Sequence, residues 1–211
     1  MNNMGTDFVS REVNSRFPFF SRVSSYCRRK RIDFFIRVMK VTGTERVLDV
    51  GGEAYFWESL ENMKSITLLN LHKAPSSDTI ISVSYQGGTF PFQDNEFDIV
   101  FSNSTIEHVG DFKQQKLFAS EIHRVAPRHF VQVPSYWFMY EPHAQIPLFQ
   151  FLPTRLKKLL RRVFTRSPYT TEELLSIRLL TKSEIQKLFP QSLILTERFL
   201  AFPKSYYIVS T

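Results

Sequence analysis

The sequence predicts an α/β fold: a mostly parallel sheet with helices on both faces. Two observations carry this. Short, apolar, β-branched runs alternate with segments of helical period between residues 46 and 133, the pattern of strand–helix–strand units. The first run, Arg46-Val47-Leu48-Asp49-Val50, enters the pair Gly51-Gly52, as a buried strand entering a tight turn does.

The elements follow in order. Residues 8–20 are aromatic and irregular, with a break at Phe17-Pro18. Residues 22–40 suit an amphipathic helix, with Val23, Cys27, Phe34, Phe35, Val38 and Met39 at helical spacing. Thr42-Gly43-Thr44 ends it. After the first strand, Phe56 to Met63 is the expected helix. Ser65 to Leu71 is a second strand, Thr79 to Ser84 a third and Phe97 to Phe101 a fourth, after the turn-forming Asp94-Asn95. Residues 111–125 read as a helix with Phe112, Leu117, Phe118, Ile122 and Val125 roughly on one face. His129 to Val133 is a fifth strand, closed by Pro134. Residues 154–164 form a helix rich in Arg, Lys and Leu, followed by a polar loop. Thr181 can cap a helix over 182–189, with Glu184 at the capping-box position. Leu193–Phe199 and Tyr206–Val209 read as a final strand pair, with Lys204-Ser205 in the turn.

The 211 residues suit one domain, 1–211. Residues 1–42 form an N-terminal helical segment. Residues 135–180, dense in Pro and aromatics and then in bases, form a lid insertion. No apolar run reaches the roughly 18 residues that span a bilayer. Met1 to Asp7 are polar and lack the apolar stretch of a signal peptide. The lone Cys27 permits no disulfide within the chain and no multi-cysteine zinc site. A cytoplasmic location is therefore expected.

Lys and Arg total 27 and Asp and Glu 20, a net charge of +7. The charge is unevenly placed. Acids outnumber bases over 43–100, whereas Arg155, Lys157, Lys158, Arg161, Arg162 and Arg166 follow one another with no acid between them. A second basic run is Arg28-Arg29-Lys30-Arg31. Such runs face nucleic acid, anionic lipid or an acidic substrate, or are solvated helix faces. No zinc finger or aromatic RNA-binding signature accompanies them, which disfavours nucleic acid.

Two segments carry chemistry. Leu48-Asp49-Val50-Gly51-Gly52-Glu53 lets a ligand approach the backbone after a buried strand. The nicotinamide fingerprint G-x-G-x-x-G is absent, which disfavours a dehydrogenase. The second segment runs from Phe90-Pro91-Phe92-Gln93-Asp94-Asn95-Glu96-Phe97-Asp98-Ile99-Val100 to Ile106-Glu107-His108-Val109. With the glycine turn, it resembles the class I S-adenosylmethionine-dependent methyltransferases of the small type 11-like group, which carry L-P-F-x-D-x-x-F-D-x-V followed by L-E-H-V. The resemblance covers roughly residues 40–211.

The resemblance implies a Rossmann-like, seven-stranded sheet with an antiparallel last strand. It implies S-adenosylmethionine as cofactor, bordered by Asp49, Gly51, Gly52, Glu53, Asn70, Leu71, Gln86, Gly87, Asn103 and Ser104. It also marks departures. The family's Asp-x-Gly-x-Gly-x-Gly becomes Asp49-Val50-Gly51-Gly52-Glu53, and this Glu53 either crowds the cofactor's methionine moiety or meets its ammonium group. The acid that ends the second strand becomes Asn70, and the acid near the adenine becomes Gln86. A variant with Gly-Gly-x-x-x-Phe-Trp and an Asn-Leu strand end is similar to this chain.

Glu107, His108 and His143 are the candidate catalytic residues, with His108 expected to titrate near neutrality. Tyr136 to His143 follow the fifth strand, where open α/β sheets bind ligands. These aromatics either wall a substrate or pack as a lid. Leu152, Leu156, Leu159, Leu160 and Val163 form a helical stripe. They either lie on anionic lipid as part of a peripheral contact through 146–164, or cover the sheet. The five histidines show no metal-ligand spacing, and no metal is expected. The function implied is methyl transfer to a small-molecule, glycan or lipid-linked acceptor. The alternative is a non-catalytic binding module that docks on a membrane or protein partner through the basic helix.

Overall fold

The computed structural model describes residues 18–210 except 59, 61, 74–75, 142 and 164–168, and it leaves out the side chains of 18–28 and 58. Residues 8–17 of the expected irregular stretch, and the side chains of Val23 and Cys27, therefore lie outside the description.

The chain runs α1 (Pro18–Met39), β1 (Arg46–Val50), α2 (Ala54–Glu58), β2 (Ser65–Asn70), β3 (Ile80–Ser84), β4 (Ile99–Asn103), a 3-10 turn (Ile106–His108), α3 (Phe112–Val125) and β5 (Arg128–Pro134). It continues through β6 (Tyr140–Glu141), β7 (Ile146–Pro147), a second 3-10 turn (Phe149–Phe151), α4 (Thr154–Val163), α5 (Thr171–Ser176), α6 (Lys182–Leu188), β8 (Leu193–Phe199) and β9 (Phe202–Val209).

Seven strands form one sheet in the order β3-β2-β1-β4-β5-β9-β8. All neighbours from β3 to β5 pair in parallel, and β9 runs antiparallel to both β5 and β8. This is the architecture expected from the sequence. The order reverses between β1 and β4, which opens a crevice at their carboxyl ends.

Both sheet faces are covered because the strands are apolar on both sides. On one face Leu48, Val50, Val100 and Val131 pack with Phe118 and Ile122 of α3 and with Ile185 and Leu188 of α6. On the other, Val47, Phe101 and Phe130 pack with Phe35 and Met39 of α1 and with Trp57 of α2. Phe34 and Val38 support that second layer, as their spacing predicts. Asp49 points to this second face, among aromatic rings.

Local signals set the boundaries. Asp111 caps α3 and Thr181 caps α6, each through a reciprocal capping box. A third box, Thr170 with Glu173, starts α5 inside the stretch expected to be a polar loop. The T-x-x-E signal is in the sequence. The expected helix over Phe56–Met63 is displaced to Ala54–Glu58. The last turn is also displaced: Lys204 and Ser205 belong to β9, and the chain reverses at Leu200, which has φ +53°. Glu197 explains this, since it accepts from Lys204 Nζ at 2.6 Å and from Ser205 Oγ across the β8–β9 pair. Pro203 lies beside the register shift at Glu197/Arg198, where a missing N–H is tolerated.

No helix among the described residues is long and apolar enough to cross a membrane.

Candidate active site

The crevice is built from the carboxyl ends of β1 to β4. Gly51 takes φ +81°, and a Cβ there would lie 2.4 Å from Thr105 Oγ1. Gly51 N–H donates to Leu69 O at 3.0 Å, which ties the turn to β2. Gly52 is constrained from beneath, since a Cβ there would lie 1.6 Å from Asp49 Oδ2. Only glycine lets the main chain pass this close to Asp49.

Asp49 is buried and accepts from Trp57 Nε1 at 2.6 Å. Its Oδ1 has no hydrogen-bond partner among the described residues. Burial, opposed by the Trp57 bond and reinforced by the Glu53 charge, pushes its pKa up to about 7. Glu53 is thus electrostatically close to Asp49. Sequence reading noted the Phe56-Trp57 pattern but not its use, which is the indole donor to Asp49.

Asn70, at the end of β2, donates through Nδ2 to Gly52 O at 2.7 Å. A carboxylate could not make this bond. Gln86 Nε2 reaches Leu71 O at 3.4 Å, which brings the loops after β2 and β3 together. Leu71, Gln86 and Gly87 are all exposed, and Gly87 has φ +86°.

On the β4 side, Asn103 Oδ1 accepts from Arg31 Nη1 at 3.2 Å. One member of the Arg28–Arg31 basic run therefore reaches the site. Sequence reading missed this, because nothing local joins residues 72 positions apart. Ser104 adopts φ +55° and donates to Gln132 Oε1 at 2.7 Å. Thr105 Oγ1 donates to Val50 O at 3.0 Å, and Ser102 Oγ donates to the same carbonyl at 3.1 Å. The predicted cofactor-side residues thus lie along one sheet edge, around the strand-order reversal.

The three candidate catalytic residues converge. Ligating atoms of Glu107, His108 and His143 all lie within 4.8 Å of one another. Glu107 is 1% exposed, and neither carboxylate oxygen has a hydrogen-bond partner among the described residues. The turn that carries it is fixed by Arg178 N–H donating to Glu107 O at 2.9 Å and by Gln115 Nε2 donating to Ile106 O at 3.1 Å. The His143 and His108 rings meet edge to face at 4.9 Å. Tyr169 lies against both.

Burial pushes the Glu107 carboxyl up to about 7, against the opposing charge of His143. Burial and the neighbouring His143 lower His108 to about 3. This corrects the expectation that His108 titrates near neutrality: its imidazole stays neutral there. Burial alone would lower His143, but the bond from its Nδ1 to Glu141 Oε1 at 2.6 Å and the adjacent carboxylates raise it above its ordinary value.

Beside the cluster, Tyr136, Glu141, Phe149, Lys157, Arg178 and Glu184 help line a cavity of about 400 Å³. Arg178 is held by Gln115 Oε1 at 2.7 Å and by Glu184. The aromatic segment divides. Phe149 packs with Ala144 and Leu174 in a small separate core, whereas Trp137 and Phe151 stay exposed with rings 5.9 Å apart. The stripe on α4 does not cover the sheet: Leu156, Leu159 and Val163 are exposed, and the helix has no buried residue.

Residues 44–128 match the methyltransferase domain family. Solved structures share the fold. Magnesium protoporphyrin IX methyltransferase from Synechocystis, with S-adenosylhomocysteine bound, is 10% identical over 100% of this chain and 90% of its own, with a TM-score of 0.54. The YcgJ protein from Bacillus subtilis is 16% identical over 79% and 69%, with a TM-score of 0.51. A putative sarcosine dimethylglycine methyltransferase from Galdieria sulphuraria is 14% identical over 83% and 64%, with a TM-score of 0.54. No curated protein sequence matches the chain at significance.

The class is thereby defined: the fold is that of the class I S-adenosylmethionine-dependent methyltransferases. Residues 44–128 are similar to methyltransferase domains, and the Synechocystis structure that shares the fold holds S-adenosylhomocysteine.

Proposed function

We propose that this chain binds S-adenosylmethionine at the crevice formed by β1, β2 and β4 and transfers its methyl group to a small or lipid-linked acceptor. The observation that carries this is the glycine turn stretched over Asp49. Gly51 and Gly52 admit no Cβ, and beneath them Asp49 presents a buried oxygen without a hydrogen-bond partner among the described residues. Such a site fits a ligand that lies on the main chain and brings polar groups. When bound, the cofactor supplies an electrophilic methyl carbon.

The chain's own residues orient and shield. Asn70 fixes the glycine turn from the side, so it serves the loop's shape rather than adding charge at a ribose. Gln86 and Leu71 border the crevice on the β2–β3 side, and Asn103 and Ser104 border it on the β4 side. Glu107, His108 and His143 stand between the crevice and the lid, on the side where an acceptor enters. They present one carboxylate and two imidazoles to that side, with ligating atoms within 4.8 Å of one another.

Incubation with S-adenosylmethionine and fractionated lipid or metabolite pools, read as S-adenosylhomocysteine release, tests the proposal. Gly51→Val should abolish release. Undiminished release by that variant would refute the site.

A lipid-linked acceptor is favoured over a freely soluble one by a specific surface. α4 carries Arg155, Lys157, Lys158, Arg161 and Arg162 beside the exposed Leu156, Leu159 and Val163, and Trp137 and Phe151 are exposed in the same insertion. A basic, amphipathic helix with aromatic neighbours suits an anionic membrane surface. That surface would bring the lid, and the cavity behind it, to a lipid-borne substrate.

A further inference from the structure

We propose that Glu107, His108 and His143 bind a divalent first-row transition-metal ion, with Zn²⁺ the representative, at the junction of sheet and lid. Two imidazoles and one carboxylate form a donor set that holds zinc with a further position open to water or substrate. Their ligating atoms already lie within 4.8 Å of one another. Small side-chain rotations would close that spacing onto one ion at about 2.0–2.2 Å from each ligand.

An independent observation points to a missing ligand. Glu107 is 1% exposed, yet both of its oxygens lack a hydrogen-bond partner among the described residues. Buried carboxylates are normally paired, hydrogen-bonded or metal-bound. Arg178 lies next to Glu107 in space, but it donates its main-chain N–H to the Glu107 carbonyl and directs its guanidinium to Gln115 and Glu184. The protein thus uses a nearby cation elsewhere.

The surroundings have the form of a metal site's outer shell. His143 Nδ1 meets Glu141 Oε1 at 2.6 Å. That bond sets the tautomer with its lone pair on Nε2, the arrangement of a carboxylate–histidine–metal triad. Glu141 is itself fixed, since its Oε2 accepts from the Ala144 N–H. The 3-10 turn that bears Glu107 and His108 is pinned by Gln115 and Arg178. Both halves of the site are therefore preorganised, one on the sheet edge and one on the lid. The sequence hides this because His143 lies far along the chain from the Glu107-His108 pair.

An ion here would tie the lid to the sheet, and an open coordination position would polarise an acceptor heteroatom. The second role rests on the methyltransferase reading; ion binding itself does not.

The test is titration of the metal-free full chain with Co²⁺, read as visible ligand-field absorption, followed by displacement with Zn²⁺. The expected result is saturation at one ion per chain. Glu107→Gln and His143→Ala should remove the signal while circular dichroism stays native, and exposed His72→Ala should retain it. Glu141→Gln, which removes no ligand, should weaken binding by about 10–100-fold. Absence of absorption in the wild-type chain would overturn the proposal, as would an unchanged spectrum in Glu107→Gln and His143→Ala. If the direct-ligand variants fail to fold, Glu141→Gln decides: wild-type affinity in that variant counts against the site. Cofactor binding measured in a chelator reports separately on the methyltransferase reading.

Discussion

Asn70 Nδ2 donates to Gly52 O at 2.7 Å, so the end of β2 holds the glycine turn after β1. Related sites place an acid at this strand end, by the resemblance set out above. Here an amide is required, because a carboxylate would face the carbonyl acceptor to acceptor. Asn70→Asp should lower unfolding free energy by about 1–3 kcal/mol, the scale for an unpaired polar group. Urea denaturation measures this, and a variant as stable as the wild type would show that the bond contributes nothing.

Gly52 has no room for a methyl group. Its Cβ would overlap Asp49 Oδ2, which the Trp57 indole holds in place. Gly52→Ala should therefore either shift the turn or displace the Asp49–Trp57 pair, at a cost of about 1–3 kcal/mol. Thermal unfolding and tryptophan fluorescence report the two effects. An unperturbed spectrum at unchanged stability would contradict the packing described.

Asp49 makes stability depend on pH. Its folded pKa is about 7, against an ordinary 3.8. Below 3.8 both states hold the proton and its contribution is full. Between 3.8 and 7 the unfolded chain loses the proton while the folded chain keeps it, so stability falls as pH rises. Above 7 the loss is complete. The slope in this window is roughly 1.4 kcal/mol per pH unit for one proton. Asp49→Asn should remove that component, seen as a smaller pH slope than wild type across the window. Parallel slopes for the two proteins would mean that Asp49 is ionised in the fold.

The exposed stripe on α4 predicts membrane association. Flotation with anionic phosphatidylglycerol vesicles at low salt should carry the chain upward, and high salt should release it. Leu159→Glu with Val163→Glu should abolish flotation without measurable loss of stability, since both side chains are largely exposed. Equal flotation by the double variant would move the contact elsewhere.

The sheet was legible because its strands are short runs buried on both sides, and their order follows the alternation of residues 46–133. The cap at Thr181 was legible for the same local reason, whereas Asp111, read as the first residue of its helix, is the cap that precedes it. The last turn was not, since Lys204-Ser205 has turn-like chemistry and only the cross-strand Glu197 makes it strand. The candidate cofactor-side residues were legible only as loop ends after strands. Their bonds were not: Trp57 to Asp49 and Arg31 to Asn103 depend on helices folding back over the sheet. Glu107, His108 and His143 were each visible as candidates. Their convergence depends on the lid's path, which no local period encodes.

Calorimetric titration of the pure chain with S-adenosylmethionine and S-adenosylhomocysteine reads occupancy of the crevice itself. Saturable binding of both in the micromolar range, lost in Gly52→Ala, is the expected result. No heat of binding at millimolar ligand, with the wild-type chain folded, would contradict it.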